Sequence, residues 1–139
     1  TVEISNENFP TYKLSPEFAD HNAIIIAYGA MLNEVIDVLP DLFEEEIFPQ
    51  VISPTRLSPL NINIFEGISF KDKPCIFIEE GSRRAAWSSE VISSLLELGE
   101  EFANIIRVSN EHIIPCSKEI EDLIIPSKLN LFEKIKEKL

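Results

Sequence analysis

Ala23-Ile24-Ile25-Ile26-Ala27-Tyr28-Gly29-Ala30-Met31 is the stretch that decides the fold. The run Ala23–Tyr28 is too continuously apolar for a strand with one wet face. It suits a parallel strand covered on both sides. After Gly29 the apolar spacing changes to three or four. Met31, Leu32, Val35, Ile36, Leu39, Leu42 and Phe43 then line one stripe, which predicts an amphipathic helix. Glu34, Asp37, Asp41 and Glu44 to Glu46 fall mostly off that stripe. Pro40 has no N–H to give the helix, so a kink or break is expected there.

The same change from strand to helix recurs along the chain. Phe48–Ser53 (FPQVIS), Cys75–Ile78 (CIFI) and Asn104–Val108 (NIIRV) have strand character, and Thr11–Leu14 is a weaker candidate for an edge. A second helix is expected over Asn61–Ile68, with Ile62, Phe65 and Ile68 inward. A third is expected over Ala86–Leu98, with Trp87, Val91, Ile92, Leu95 and Leu96 inward. Its acids Glu97, Glu100 and Glu101 crowd the carboxyl end, where the helix dipole disfavours them. Beyond Pro115, Ser117 is expected to cap a short helix carrying Ile120, Leu123 and Ile124, and Pro126 to stop it. Ser127 then caps a terminal helix with Leu131, Phe132, Ile135 and Leu139 on one face. The alternation implies an α/β fold of three layers, α/β/α, with a parallel sheet and right-handed crossovers.

A length of 139 residues and a hydrophobic content of 45% fit one domain. Residue 1 is Thr and the only Met is Met31, so the chain is expected to derive from something longer. No apolar run approaches membrane-spanning length, and no basic-then-apolar leader is visible. Net charge is −12, unevenly spread: residues 1–117 hold 7 Lys and Arg against 19 acids, and the rest hold five of each. Between Lys13 and Arg56 there are eight acids and no base. Such a field repels nucleic-acid phosphates and anionic lipid, so neither is expected as a partner. It favours a basic protein partner instead; the plainer alternative is solubility alone. Cys75 opens an apolar run and reads as a small buried residue, far in sequence from Cys116. With no disulfide framework, a reducing cytoplasm or organelle matrix is expected.

Catalytic constellations are weak. Cys75, Cys116, His21 and His112 lack zinc-site spacing, and Pro115 separates His112 from Cys116. There is no Gly-x-Ser-x-Gly elbow. Glu79-Glu80 ends the third strand, where open parallel sheets bind ligands, but an amide-capping or interface carboxylate is the preferred reading. Tyr28-Gly29-Ala30 stands where a phosphate could meet a helix start, yet a lone glycine reads better as a tight turn. Arg83, Arg84 and Trp87 are of the types enriched in interface hot spots.

In order, the segments are Ala27-Tyr28-Gly29-Ala30-Met31, Val51-Ile52, Leu57-Ser58-Pro59-Leu60, Ile78-Glu79-Glu80-Gly81, Ser89-Glu90-Val91 and Arg107-Val108. Ile114-Pro115, Ile120-Glu121 and Pro126 complete them. This succession, over about residues 12–139, resembles the transketolase carboxy-terminal domain. The tail is similar to the β subunits of pyruvate and branched-chain 2-oxoacid dehydrogenases. The resemblance implies a five-stranded, mostly parallel sheet with one antiparallel edge strand, which Thr11–Leu14 would supply. It leaves residues 1–11 as a linker from an upstream domain.

It further implies that thiamine diphosphate and magnesium are bound by other domains of the full enzyme and none by this chain. No Gly-Asp-Gly with a following Asn pair occurs here. Such domains build the β–β contact, meet the α subunit and help dock the basic peripheral binding domain of an acyltransferase core. No catalytic residue is expected. Tyr28, Gly29, Met31, Glu80, Arg83, Arg84, Trp87 and Pro115 are the candidates for an interface or ligand end of the sheet. The implied function is assembly and docking within an enzyme that oxidatively decarboxylates a 2-oxoacid, with the chain inactive alone. The alternatives are a free-standing ligand-binding or regulatory module, or part of another transketolase-like enzyme such as a ketol transferase or deoxyxylulose-phosphate synthase. The chain departs from the family pattern in four places: Pro40 falls within the first helix, the glycine usual before the second strand is lost near Glu46-Ile47, and two segments differ. Ser53-Pro54-Thr55-Arg56 replaces the common Asp-Leu-Arg-Thr, and Ala85-Ala86 replaces glycines after Glu-Glu-Gly.

Overall fold

The computed structural model describes residues 1–110 and 125–139. His112, Pro115, Cys116 and the helix expected after Ser117 lie outside the described residues. The strands are β1 (Val2–Ile4), β2 (Thr11–Leu14), β3 (Ala23–Ala27), β4 (Pro49–Pro54), β5 (Pro74–Ser82) and β6 (Asn104–Asn110). The helices are α1 (Ala30–Glu44), α2 (Trp87–Glu97) and α3 (Lys128–Lys136). The strands form one sheet in the order β1-β2-β4-β3-β5-β6. β3 lies parallel to β4 and β5, and β5 parallel to β6, while β1 and β2 are antiparallel to their neighbours.

The continuous apolar runs are explained by burial on both faces. Ile25, Ala27, Val51, Ile76, Ile78, Ile106 and Val108 face one helical layer, made by Met31, Val35, Val38 and Leu42 of α1 with Leu131 and Ile135 of α3. The alternating residues Ile24, Ile26, Ile52, Cys75 and Phe77 face the other layer, with Ile64, Phe65, Phe70, Val91 and Leu95. Each fully buried Ile or Leu contributes roughly 1.5–3 kcal/mol, so no strand position in β3 can be given up to solvent. The three-layer arrangement and the buried Cys75 agree with the sequence expectations.

Six expectations need correction. The sheet has six strands, not five. Residues 1–11, expected to be a linker, carry β1, which pairs Val2 with Leu14 and Ile4 with Tyr12. Three residues are too few to show a period, and Val2 and Ile4 are each 61% exposed, so no apolar burial marks this strand. The helix α1 runs through Pro40 without a break. Pro40 lies on the exposed side, where the carbonyl it fails to bond meets water, while Leu42 on the buried side is fully enclosed. The helix expected over Asn61–Ile68 is only a 3-10 turn, Ile62–Phe65. The Asn61 side chain accepts from the Asn63 N–H at 3.2 Å, and Gly67 adopts φ +79°, so local bonds and a left-handed residue end it early. In α2, Ser88 rather than Leu96 joins Val91 and Leu95 inside, and Leu96 is 53% exposed. Leu139 is likewise exposed, so α3 buries Leu131 and Ile135 with Phe132 half-buried.

Replacing Pro40 with Ala restores a helical N–H on an exposed face; a gain of about 1–3 kcal/mol in urea unfolding is expected. Ile25→Ala, at a position enclosed by α1 and β4, is expected to cost about 2–5 kcal/mol in the same measurement.

Candidate functional site at the carboxyl ends of the strands

The parallel strands β3, β4, β5 and β6 all finish on one side of the sheet, at Ala27, Pro54, Ser82 and Asn110, with Tyr28 directly after β3. From β3 the chain goes through α1 to β4 on one side. It then returns by the opposite layer to β5 on the other side of β3. The point between β3 and β5 is therefore the topological switch, where open α/β sheets place their ligands.

In this chain the switch point is filled by its own side chains. Strand alternation puts Glu79 on the same face as Phe77, toward α2, and it is only 1% exposed. Its Oε1 accepts from the Ser88 backbone N–H at 3.0 Å and from the Tyr28 hydroxyl at 3.3 Å. Its Oε2 accepts from the Ser88 hydroxyl. Ala86 precedes α2 and has no side chain able to cap it, so the carboxyl group from β5 satisfies the helix start instead. Arg107 on β6 donates from Nε to Ser88 Oγ at 2.9 Å and from its terminal nitrogen to the Arg83 carbonyl at 2.7 Å. The guanidinium thus stands one hydroxyl away from the buried carboxyl. Trp87 donates from Nε1 to the Leu57 carbonyl at 3.0 Å, and its ring meets that of Tyr28 edge-on, centroids 5.4 Å apart.

Burial, then the nearby Glu79 and Glu80 charges, push the Tyr28 phenol up to about 12. The phenol therefore stays protonated and donates; it is no base at neutral pH. Ser88 is occupied on both sides, between Arg107 and Glu79. The network holds β3, β5, β6 and α2 together and leaves no activated nucleophile in it.

The structure brings together Tyr28, Trp87 and the start of α2. Gly29 follows with φ +60°, a true tight turn. Met31 is 4% exposed and belongs to the core beneath α1, not to the strand ends. Glu80, Arg83 and Arg84 are exposed beside the network, and Arg83 donates its N–H to the Asn110 carbonyl at 2.9 Å. Pro115 lies outside the described residues. The centre of the network is Glu79, with Ser88 and Arg107, none of which was among the expected site residues. The period-two count from Cys75 and Phe77 carried the signal for Glu79, since it continues the covered face. The amide-capping role preferred for the Glu79-Glu80 pair is the one Glu79 performs. Ala85, in the position of a family glycine, adopts φ +53°, a conformation that strains a residue with a Cβ.

Among the described residues, no group of three or more His, Cys, Asp or Glu could hold a metal ion. Glu79→Ala is expected to cost about 1–3 kcal/mol for each buried donor it strands, and Glu79→Gln less. The phenol pKa of Tyr28 lies above its unfolded value of 10.0, at about 12. The unfolded chain therefore loses that proton first, and stability falls as pH rises from about 10 to about 12. Alkaline ultraviolet titration with Tyr28→Phe as the blank should show the late phenol, and the variant should lose that part of the fall.

The sequence model of the family described as "Transketolase, C-terminal domain" matches residues 16–131. The pyruvate dehydrogenase E1 component subunit beta of Staphylococcus aureus is 28% identical over 118 residues, 83% of this chain and 36% of that protein. Its counterpart in Staphylococcus epidermidis is 26% identical over 115 residues, 81% of this chain and 35% of that protein. The chain thus spans about a third of the length of these relatives. Among solved structures, a 2-oxoglutarate:ferredoxin oxidoreductase from Magnetococcus marinus superimposes with a TM-score of 0.63 at 14% identity, covering 92% of this chain and 19% of that one. That last likeness concerns the fold alone. With the matched span, the sheet order and the two covered faces in agreement, the chain belongs to the transketolase C-terminal domain family.

Proposed function

We propose that this chain is the carboxy-terminal assembly and docking domain of the β subunit of a thiamine-diphosphate-dependent 2-oxoacid dehydrogenase. In this reading the full enzyme carries out the oxidative decarboxylation, and this domain does no chemistry alone. The observation that carries it is the occupied switch point. Where a doubly wound sheet would receive a ligand, Glu79, Ser88, Tyr28 and Trp87 are bonded to one another or to the backbone. Thiamine diphosphate and magnesium are assigned to other domains of the enzyme.

The docking role rests on α1. Asp37, Asp41 and Glu44 recur at three-or-four spacing on its exposed side, with Pro40 also outward and Ile36 41% exposed. They present a negative stripe with an apolar spot, which suits a small basic partner such as a peripheral binding domain of an acyltransferase core. Glu45, which pairs with Lys136 at 2.7 Å, borders the stripe.

Two measurements test this. Calorimetry of the chain with thiamine diphosphate and magnesium should give no binding heat, and a saturable signal would overturn the division of labour. Asp37→Lys with Asp41→Lys should weaken binding to a basic peripheral binding domain about tenfold or more, with a shallower salt dependence. Unchanged affinity would remove α1 from the docking surface.

A further inference from the structure

The sheet face under α1 is only partly covered by the described helices. Strands stand about 4.8 Å apart and packed helices about 10 Å, so one helix covers about two strands. On this face α1 lies on β3 and β5, and α3 lies beside β6. The described helices leave β1 and β2 largely open, with Val2 exposed opposite the half-buried Leu14.

A second wall comes from α1 itself. Leu32, Ile36, Leu39 and Phe43 each follow by one position a residue of the buried row Met31, Val35, Val38 and Leu42. One residue turns a helix by about 100°, so they make a second apolar stripe on the flank of α1. That flank faces β2. Leu39 and Phe43 share a cavity of about 310 Å³ with Leu14 and Val51. Leu32 shares one of about 340 Å³ with Tyr12 and Ser53. The other flank meets α3, where Glu34 accepts from the Lys128 N–H and Glu45 pairs with Lys136. Ile36, between the two cavities along the stripe, makes them one groove, roughly 16 Å long from Leu32 to Phe43. Phe18 stands at its far end, 67% exposed, with its ring edge-on to Phe43.

The charges around this groove are acidic. No Lys or Arg lines either cavity. Asp37 and Glu44 follow Ile36 and Phe43 by one position and stand exposed on the α1 rim. Glu17, on the wall beside Phe43, meets the Thr1 amine at 3.7 Å. An apolar floor with an acidic rim is complementary to an amphipathic helix with basic flanks. The space lies between a helix and a sheet face, which is where a layered fold places a helix. An added strand would take the outer edge of β1 instead.

We propose that this groove seats a basic amphipathic helix of another polypeptide. Apolar residues three or four apart on that helix lie against Ile36, Leu39 and Phe18. Lys or Arg side chains beside them meet Asp37 and Glu44. The assignment does not rest on the assembly role, because it concerns the flank of α1 and holds for any partner carrying such a helix.

The test is an NMR titration of the ¹⁵N-labelled chain with a synthetic Leu/Lys peptide of about 18 residues, its leucines three and four apart. One control has the same residues in strict alternation, a strand pattern. The other has Glu for every Lys. Expected are saturable shifts of the Tyr12, Ile36 and Leu39 amides, and at least about tenfold weaker binding of both controls. Ile36→Lys and Phe18→Ser should each weaken the helical peptide about fivefold or more. Asp37→Asn with Glu44→Gln should weaken it about three- to tenfold and flatten its salt dependence. All four positions are exposed or at the rim, and circular dichroism checks that each variant folds. Shifts confined to the acidic side of α1, or affinity unchanged in both Ile36→Lys and Phe18→Ser, would overturn the groove. Equal or tighter binding of the alternating peptide would assign the surface to strand addition and overturn the helix. A dimer of the chain alone that Ile36→Lys dissociates would give the groove to a second copy and overturn the assignment to another polypeptide.

Discussion

The burial of one carboxyl group, Glu79, is the constraint from which the arrangement at the carboxyl ends of the strands follows. A carboxyl placed at 1% exposure must be met by donors, because desolvating it otherwise costs several kcal/mol. Tyr28 from the end of β3 and the Ser88 amide and hydroxyl from α2 converge on it, with Arg107 from β6 behind the hydroxyl. The four elements cannot move apart without stranding a buried polar atom. The turn between β5 and α2 is tied in too, since Arg107 holds the Arg83 carbonyl and Asn110 accepts from the Arg83 amide. The left-handed Ala85 is tolerated inside that brace.

Acidic residues perform two different tasks in this chain. Two of them accept from helix starts. Glu79 does so for α2, which its own sequence leaves bare, and Glu34 of α1 accepts from the Lys128 N–H at 2.6 Å at the start of α3, beside the Asn130 side chain that accepts from the Ser127 N–H at 3.1 Å. Both use a carboxylate where the helix dipole favours one, and both join elements distant in sequence. The others, on the outer side of α1, bury nothing. Their contribution to stability is small, as for most exposed charges. The chain belongs to the transketolase C-terminal domain family and spans about a third of the length of the relatives it matches.

Strand periodicity carries the covered face from Cys75 and Phe77 to Glu79, but it does not mark the partners that meet Glu79 there. The exposed or half-buried side chains Tyr28, Arg83, Arg84 and Trp87 were found by their type and their place at strand ends. Met31 stands in the sequence both on the apolar stripe of α1 and beside the strand ends, and the docking of α1 on Ile25 and Ala27 places it in the core. Ser88 and Arg107 carry no sequence signal of their own. A serine in a helix first turn and an arginine in a strand are ordinary until β5 and β6 lie side by side.

By itself the sequence determined the layers. The runs around Ile25, Ile52, Phe77 and Ile106 are too apolar for any half-wet arrangement, and the stripe from Met31 to Phe43 needs a sheet to cover. Those are one-dimensional consequences of periodicity and the hydrophobic effect. Tertiary structure alone decided the rest. It added β1, a three-residue strand held by pairing rather than burial. It carried α1 through Pro40, because packing beneath Leu42 outweighs one missing bond on the wet side. It also chose which of two adjacent glutamates was buried, by bringing the start of α2 to Glu79 while Glu80 faced solvent. Hydrogen bonds between distant segments have no period to read; they exist only after the sheet has set its strands in order.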